Sequence, residues 1–328
     1  MHPGSPEFTS YTDAVMERVS SSLDGKPKAV RTATLVLLAG GHLLLEDVPG
    51  VGKTLLARSL GAAVGGQVHR IQFTPDLLPA DITGVSVFHQ DRHDFEFRPG
   101  PVFAHIVIAD EINRASAKTQ AALLEAMEEH RVSVDGVSHR LPEPFMVVAT
   151  QNPLDSHGTY PLPEAQRDRF LARISLGYPD ADAEVQMLAH HSLGESHDTA
   201  IAPVIDVTTL SALQASVRQV ALTEPLRRYL VDLARATRSH SAVRVGASPR
   251  SVVQWAAAAR AEAALNGRDY TVPDDVRAVA VAVLAHRLLL DTSGVGQAAT
   301  DAAVAVVDDV LTTVPGPSAA DSPTRRRR

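Results

Sequence analysis

Through the first half of the chain, short apolar blocks are separated by segments of helical spacing. The blocks His42–Leu45, Val68–Phe73, Ile106–Ala109, Phe145–Thr150 and Arg173–Leu176 predict strands. Four of them are nearly continuous apolar runs, the signature of strands buried on both faces. With helices between, they predict an α/β core whose parallel sheet is covered on both sides.

Two alternating segments interrupt this rhythm. Val85–Phe97 predicts a hairpin inserted before the central strand. In Arg131–Leu141, Asp135-Gly136 sits between β-branched residues, a tight-turn signal for a second hairpin. The sheet needs neither for its core, so both are expected to be functional arms. After a polar stretch at 194–203, expected to be a linker, the pattern becomes purely helical. Thr223-Glu224-Pro225, Ser248-Pro249 and Val272-Pro273-Asp274-Asp275 each open a helix. The expected organisation is a core over 11–193 and an all-α domain over 204–312. Gly4-Ser5-Pro6-Glu7-Phe8 has the character of an appended tag, so residues 1–10 are expected to be disordered. An arginine-rich tail, ending in Arg325–Arg328, is expected over 313–328.

Composition narrows the function classes. The 328 residues have room for two domains. They include no cysteine, which removes disulfides and thiolate metal sites and fits a reducing, cytoplasmic setting. The most apolar stretches, Val30–Leu45 and Val276–Leu290, are broken by Arg31, His42, Arg277 and His286, so no membrane span is expected. A net charge of −7 and 4% aromatic residues argue against a broad nucleic-acid surface.

The chemistry concentrates at strand ends. Asp47-Val48-Pro49-Gly50-Val51-Gly52-Lys53-Thr54 follows the first strand and precedes a helix. Glycine lets the backbone curl until several N–H groups face one phosphate, and the helix start adds its positive dipole end. The predicted cradle is Pro49, Gly50, Val51, Gly52, Lys53, Thr54 and Leu55, with Lys53 on the outer phosphates of ATP and Thr54 on Mg²⁺. Where the usual pattern begins with glycine, this chain has Asp47. The strand Ile106–Ala109 ends in Asp110-Glu111, which places Asp110 beside the metal and Glu111 as the base that polarises water. Asn152, after another strand, can hydrogen-bond the terminal phosphate. Arg250, a cation in a first helical turn, opposes the helix dipole by about 0.3–1 kcal/mol, a cost that a nearby phosphate would reverse.

Taken in order these motifs resemble an AAA+ ATPase, and more narrowly the MoxR family. The resemblance is carried by Gln72-Phe73-Thr74-Pro75-Asp76-Leu77-Leu78-Pro79, Ala109-Asp110-Glu111-Ile112-Asn113-Arg114-Ala115, Ala149-Thr150-Gln151-Asn152-Pro153 and Gly158-Thr159-Tyr160-Pro161-Leu162-Pro163-Glu164-Ala165-Gln166, with Val272-Pro273-Asp274-Asp275-Val276 near the end. It spans about residues 11–312 and implies a doubly wound P-loop core, sheet order 5-1-4-3-2, with inserted hairpins and a helical lid. It also implies a hexameric ring, with Asn152 as first sensor, Arg169 as an arginine finger acting on the neighbour's nucleotide, and Arg250 as second sensor in cis or in trans. Relatives of this kind are chaperone-like, assist metal insertion or complex maturation, and work beside proteins with a von Willebrand factor A domain.

Three readings stay open on sequence alone: a remodelling motor, a magnesium-chelatase-like or nucleic-acid motor, and a module that only binds nucleotide. Glu111 argues for hydrolysis. His89, Asp91 and His93 have a spacing that could ligate a metal, although Arg92 and His93 equally suit a wet hairpin tip. His190-His191 are expected at the surface and Trp255 in the core.

Overall fold

The computed structural model describes residues 1–23, 25–152, 160, 162–182, 184–185, 202–291 and 297–317. Helices α1 (Pro6–Ser20) and α2 (Pro27–Leu38) precede β1 (Leu43–Glu46), α3 (Lys53–Ala63) and β2 (Val68–Gln72). A short α4 (Pro79–Thr83) leads into the hairpin β3 (Gly84–His89) and β4 (Asp94–Pro99). Next come β5 (Ile106–Asp110), α5 (Ala117–Glu129), the hairpin β6 (Arg131–Val134) and β7 (Val137–Arg140), then β8 (Met146–Gln151), α6 (Glu164–Arg167) and β9 (Ala172–Ile174).

The main sheet has the order β2-β5-β8-β1-β9, and every pairing in it is parallel. Renumbered without the hairpins this is 5-1-4-3-2, the doubly wound order expected. The apolar runs follow from the covering. Leu43, Leu45, Ile106, Ile108, Met146 and Val148 face a core shared with α1–α3 and the C-terminal helices. Leu44, Val107, Ala109, Val147 and Ala149 face a second core containing Leu123, Leu124 and Met127 of α5. Burial on both faces keeps the body of these strands apolar, and polar side chains enter only at their carboxyl ends, as Glu46, Asp110, Thr150 and Gln151. Strand β2 is the exception: His69, Arg70 and Gln72 are exposed because β2 is an edge.

Both hairpins form. Asp135 and Gly136 have φ of 50° and 79°, the two positive values that a tight hairpin turn requires. Gly84 and Gly100 close the base of the other hairpin, where an added Cβ at Gly84 would meet Arg98 O at 2.3 Å. The ring of Phe97 stacks on His139 at 3.8 Å, joining the two arms.

The C-terminal part holds α7 (Val207–Arg218), α8 (Glu224–Ser239), α9 (Pro249–Leu265), α10 (Pro273–Leu284) and α11 (Gln297–Thr313). Trp255 is fully buried there, its Nε1 donating to Val276 O at 2.8 Å. Three expectations are corrected. The purely helical pattern gives way to a small antiparallel pair, β10 (Val243–Val245) with β11 (Leu289–Leu290), too short for periodicity to reveal. Residues 1–10 are not disordered: Ser5 caps α1 and Phe8 is 0% exposed in the shared core. Apolar burial decides this, whatever the tag-like composition. The tail begins later than expected, since α11 runs to Thr313 and Val314 N donates to Val310 O at 3.0 Å. Residues 194–201 of the linker expected over 194–203, His190-His191 and the arginines 325–328 lie outside the described residues.

Candidate functional site

Because the sheet is parallel, its strand ends gather at two edges. At the carboxyl edge β1 runs directly into the loop 47–52. Gly50 and Gly52 have φ of 83° and 95°, values that side chains resist. Gly52 also caps α3, and a Cβ there would meet Leu23 Cδ1 at 2.9 Å. The first turn of α3 leaves its N–H groups without helical partners, aimed out of the loop. Lys53 Nζ donates to the carbonyls of Asp47 (2.6 Å) and Val48 (2.7 Å), contacts with which a phosphate would compete. Burial lowers the Lys53 pKa, opposed by the charges of Asp47, Asp110 and Glu111.

Asp47, the departure from the usual glycine, points away from the cradle. Its Oδ2 accepts from Ser175 Oγ, Leu176 N and Gly177 N, each at 2.7 Å, and Oδ1 from Val48 N at 2.8 Å. Burial pushes this carboxyl's pKa up, but the hydrogen bonds outweigh it and the net shift is downward. Asp47 thus pins the loop's first residue to the segment after β9.

Asp110 ends β5, buried beside the loop. It accepts from Thr54 Oγ1 at 3.2 Å, Thr150 Oγ1 at 3.1 Å and Arg70 Nε at 2.5 Å. The oxygens of Thr54 and Asp110 converge, a hard-donor set that suits hydrated Mg²⁺. Glu111 is held in the left-handed region (φ 56°, ψ 47°), which costs a side-chain-bearing residue about 1–2 kcal/mol and is strain of the kind found at functional sites. Its backbone N donates to Thr150 Oγ1 at 3.0 Å. Its carboxylate accepts from Gln72 Nε2 at 2.9 Å and Arg114 Nη1 at 3.0 Å. Asn152 follows β8 at the same edge, half-buried. The structure therefore brings Pro49, Gly50, Val51, Gly52, Lys53, Thr54, Leu55, Asp110, Glu111 and Asn152 to one edge.

Arg169 and Arg250 are not among them. Arg169 precedes β9, whose first residue Ala172 pairs with Leu43 at the start of β1, and Leu171 N donates to His42 O at 2.8 Å. Arg169 is thus at the amino edge, about 10 Å or more along the strands from its own phosphate loop. The C-terminus of α5 arrives at the same place. Buried His42 approaches Met127 O through Nε2 at 3.1 Å and accepts from Val147 N through Nδ1 at 3.0 Å. Burial lowers the His42 pKa to about 4, so the ring is neutral. Beside Met127, the carboxylate of Glu128 takes Arg169 Nη2 at 3.0 Å and also Arg250 Nη2.

Sequence reasoning assigned no role to Arg70, Gln72, Arg114 or Glu128. Polar residues in β2, where an apolar run was due, were a usable signal for the first two. Glu128 carried none, since it looks like any acid at a helix end. At the hairpin tip, residues 90–93 form the turn itself, so His89, Asp91 and His93 do not sit on one extended side as expected. His89 instead pairs with Glu96 at 2.5 Å.

A phosphate loop, an acid pair at the carboxyl end of another strand of the same sheet and a helical lid define an AAA+ ATPase, an enzyme that binds and hydrolyses ATP. The profile of the ATPase family associated with various cellular activities (AAA) matches residues 42–172, and that of the AAA lid domain matches residues 235–310. The chain is 42% identical to chaperone MoxR1 of Mycobacterium tuberculosis, covering 88% of this chain and 79% of the relative. It is 33% identical to protein MoxR of Methylorubrum extorquens (89% and 92%) and 46% identical to YeaC of Bacillus subtilis (84% and 86%). A crystal structure of a protein from Cytophaga hutchinsonii superposes with a TM-score of 0.85 at 34% identity, covering 95% and 96% of the two chains. The chain belongs to the MoxR family. Among the described residues no helix is long and apolar enough to cross a membrane.

Proposed function

We propose that the chain works as a homo-oligomeric ring, of hexameric type, in which each subunit's Arg169 and Arg250 act on the ATP of its neighbour. The observation that carries this reading is the separation of the two groups of residues onto opposite edges of one sheet. A subunit holds its own nucleotide at the carboxyl edge, out of reach of its own arginines. A head-to-tail ring brings the amino edge of one subunit to the carboxyl edge of the next. The sharing of Glu128 by both arginines favours Arg250 acting in trans together with Arg169.

Within one site the backbone from Pro49 to Leu55 binds the phosphates, and Lys53 exchanges its loop carbonyls for phosphate oxygens. Thr54 and Asp110 would hold Mg²⁺, which neutralises charge on the outer phosphates when bound. Glu111 orients the attacking water and takes its proton. Asn152 fixes the terminal phosphate, and the neighbour's Arg169 stabilises the charge that develops on it. The work is chaperone-like remodelling of client proteins in the cytoplasm, which extends to metal insertion and to partners with a von Willebrand factor A domain. Two supports are the relative named chaperone MoxR1 and the exposed arm carrying Phe88 and Phe95.

Mixing tests the ring. Arg169→Ala and Lys53→Ala subunits are each inactive alone. Mixed equally, about a quarter of the interfaces in a random ring join an intact loop to an intact finger, and turnover returns towards that fraction. Absence of recovery in rings shown to be mixed would remove the trans assignment.

A further inference from the structure

We propose that Glu128 is a positioning residue that holds Arg169 and Arg250 as one two-arginine unit facing the neighbour's triphosphate. The proposal rests on the trans reading above and adds a third residue to it. The three side chains come from separate parts of the fold: Glu128 from the end of α5, Arg169 from the turn before β9 and Arg250 from the first turn of α9 in the lid. They meet on one carboxylate, Oε2 with Arg169 and Oε1 with Arg250.

Two guanidiniums a few ångströms apart repel each other, and each long side chain has rotamer freedom that disperses it when unrestrained. A shared carboxylate offsets both effects. Two positive charges and one negative leave one net positive charge, so the unit still attracts an anion. The forked donors that match a carboxylate also match a phosphate, and a triphosphate carries the larger charge. Transfer of the arginines from Glu128 to a neighbour's nucleotide is therefore an exchange of like contacts that needs no large search.

The surroundings fix this unit on all sides. Asp168, adjacent to Arg169, accepts from Ser248 Oγ at 2.9 Å and Ser251 Oγ at 3.0 Å at the start of the helix that carries Arg250. Gln254, one turn further on, donates to Arg169 O at 3.3 Å. Buried Arg287 lies 3.6 Å from Asp168, and its pKa is lowered to about 10 by burial, with Asp168 opposing and the charge of Arg250 adding. Among the described residues the buried Nε of Arg169 has no hydrogen-bond partner, so this guanidinium has donor capacity that Glu128 does not use. Core and lid are thus tied at the point where the two arginines converge, and Glu128 is the carboxylate common to both.

Glu128→Gln keeps the shape and removes the charge. The expected result is a fall in kcat of between about tenfold and about a hundredfold, the scale of a displaced catalytic group, with ATP affinity unchanged within about twofold because each subunit's own loop is at the other edge. Turnover recovers on mixing with Lys53→Ala subunits, whose Glu128, Arg169 and Arg250 are intact. Recovery by mixing is the readout that a merely structural defect would not give. Glu128→Asp, which keeps the charge one methylene shorter, gives a smaller loss with the same recovery and carries the test should the glutamine variant not fold. Turnover within twofold of the parent, or a loss that mixing leaves in place, overturns the proposal. Full turnover in Arg169→Ala would instead overturn the trans reading beneath it, so the two failures are told apart.

Discussion

The two edges of the central sheet are built differently. At the carboxyl edge each functional residue directly follows a strand: the phosphate loop after β1, Asp110 and Glu111 at and after β5, Asn152 after β8. At the amino edge Glu128, Arg169 and Arg250 come from a helix end, a turn and the lid, and only tertiary packing makes them neighbours. The first edge is a self-contained nucleotide holder. The second has positive charge to offer and no nucleotide of its own to offer it to. On the trans reading proposed above, an enzyme divided in this way has activity conditional on assembly.

The largest effect that would sharpen this contrast is in Glu111→Gln. Loss of the general base lowers turnover by about 10²–10⁴-fold while ATP binding persists, measured by steady-state hydrolysis beside equilibrium binding. Because Glu111 serves its own subunit's site, mixing with Arg169→Ala restores nothing at the glutamine-bearing sites. Asp47→Ala comes next. It strands the Val48, Leu176 and Gly177 N–H groups and costs about 3 kcal/mol in chemical denaturation, with weaker nucleotide binding as the loop loosens. A denaturation midpoint equal to the parent's would show that the loop's anchor lies elsewhere.

The amino edge has its own pH dependence. His42 falls from 6.5 to about 4 on folding, so only the unfolded chain takes up a proton in that window. Its contribution is complete above pH 6.5 and declines as pH falls to about 4, by roughly 3 kcal/mol in all. Buried His286 shifts in the same direction. Thermal melting across that range should show the decline, and His42→Gln should flatten it. A parent melting curve independent of pH there would mean that His42 is hydrated. The smallest effect belongs to the arm: Phe95, 73% exposed, can become serine with stability changed by no more than about 0.5 kcal/mol and basal turnover intact. A loss of basal turnover in that variant would tie the hairpin to one of the edges.

The sheet was legible because its three inner strands, β1, β5 and β8, are buried on both faces, which imposes continuous apolar runs. The hairpin turn at Asp135-Gly136 was legible because positive φ at two successive residues selects so few residue types. Phe8 was missed for the opposite reason: a single aromatic in a polar context gives no periodicity, and only its contacts with the shared core show that α1 belongs to the fold. The strand pair β10–β11 was missed because two or three residues cannot display a period.

By itself the sequence determined which residues gather at the carboxyl edge, since a glycine loop between strand and helix and an acid pair at a strand end are local devices whose residues are neighbours in the chain. It also determined the layered architecture, through hydrophobic burial. Tertiary structure alone decided that Asp47 anchors the loop, that Arg70 and Gln72 reach the acid pair, and that Glu128 gathers two distant arginines. Those are contacts of polar and charged side chains with groups on separate elements, and such a residue in a sequence looks the same whether its partner is water or another part of the protein.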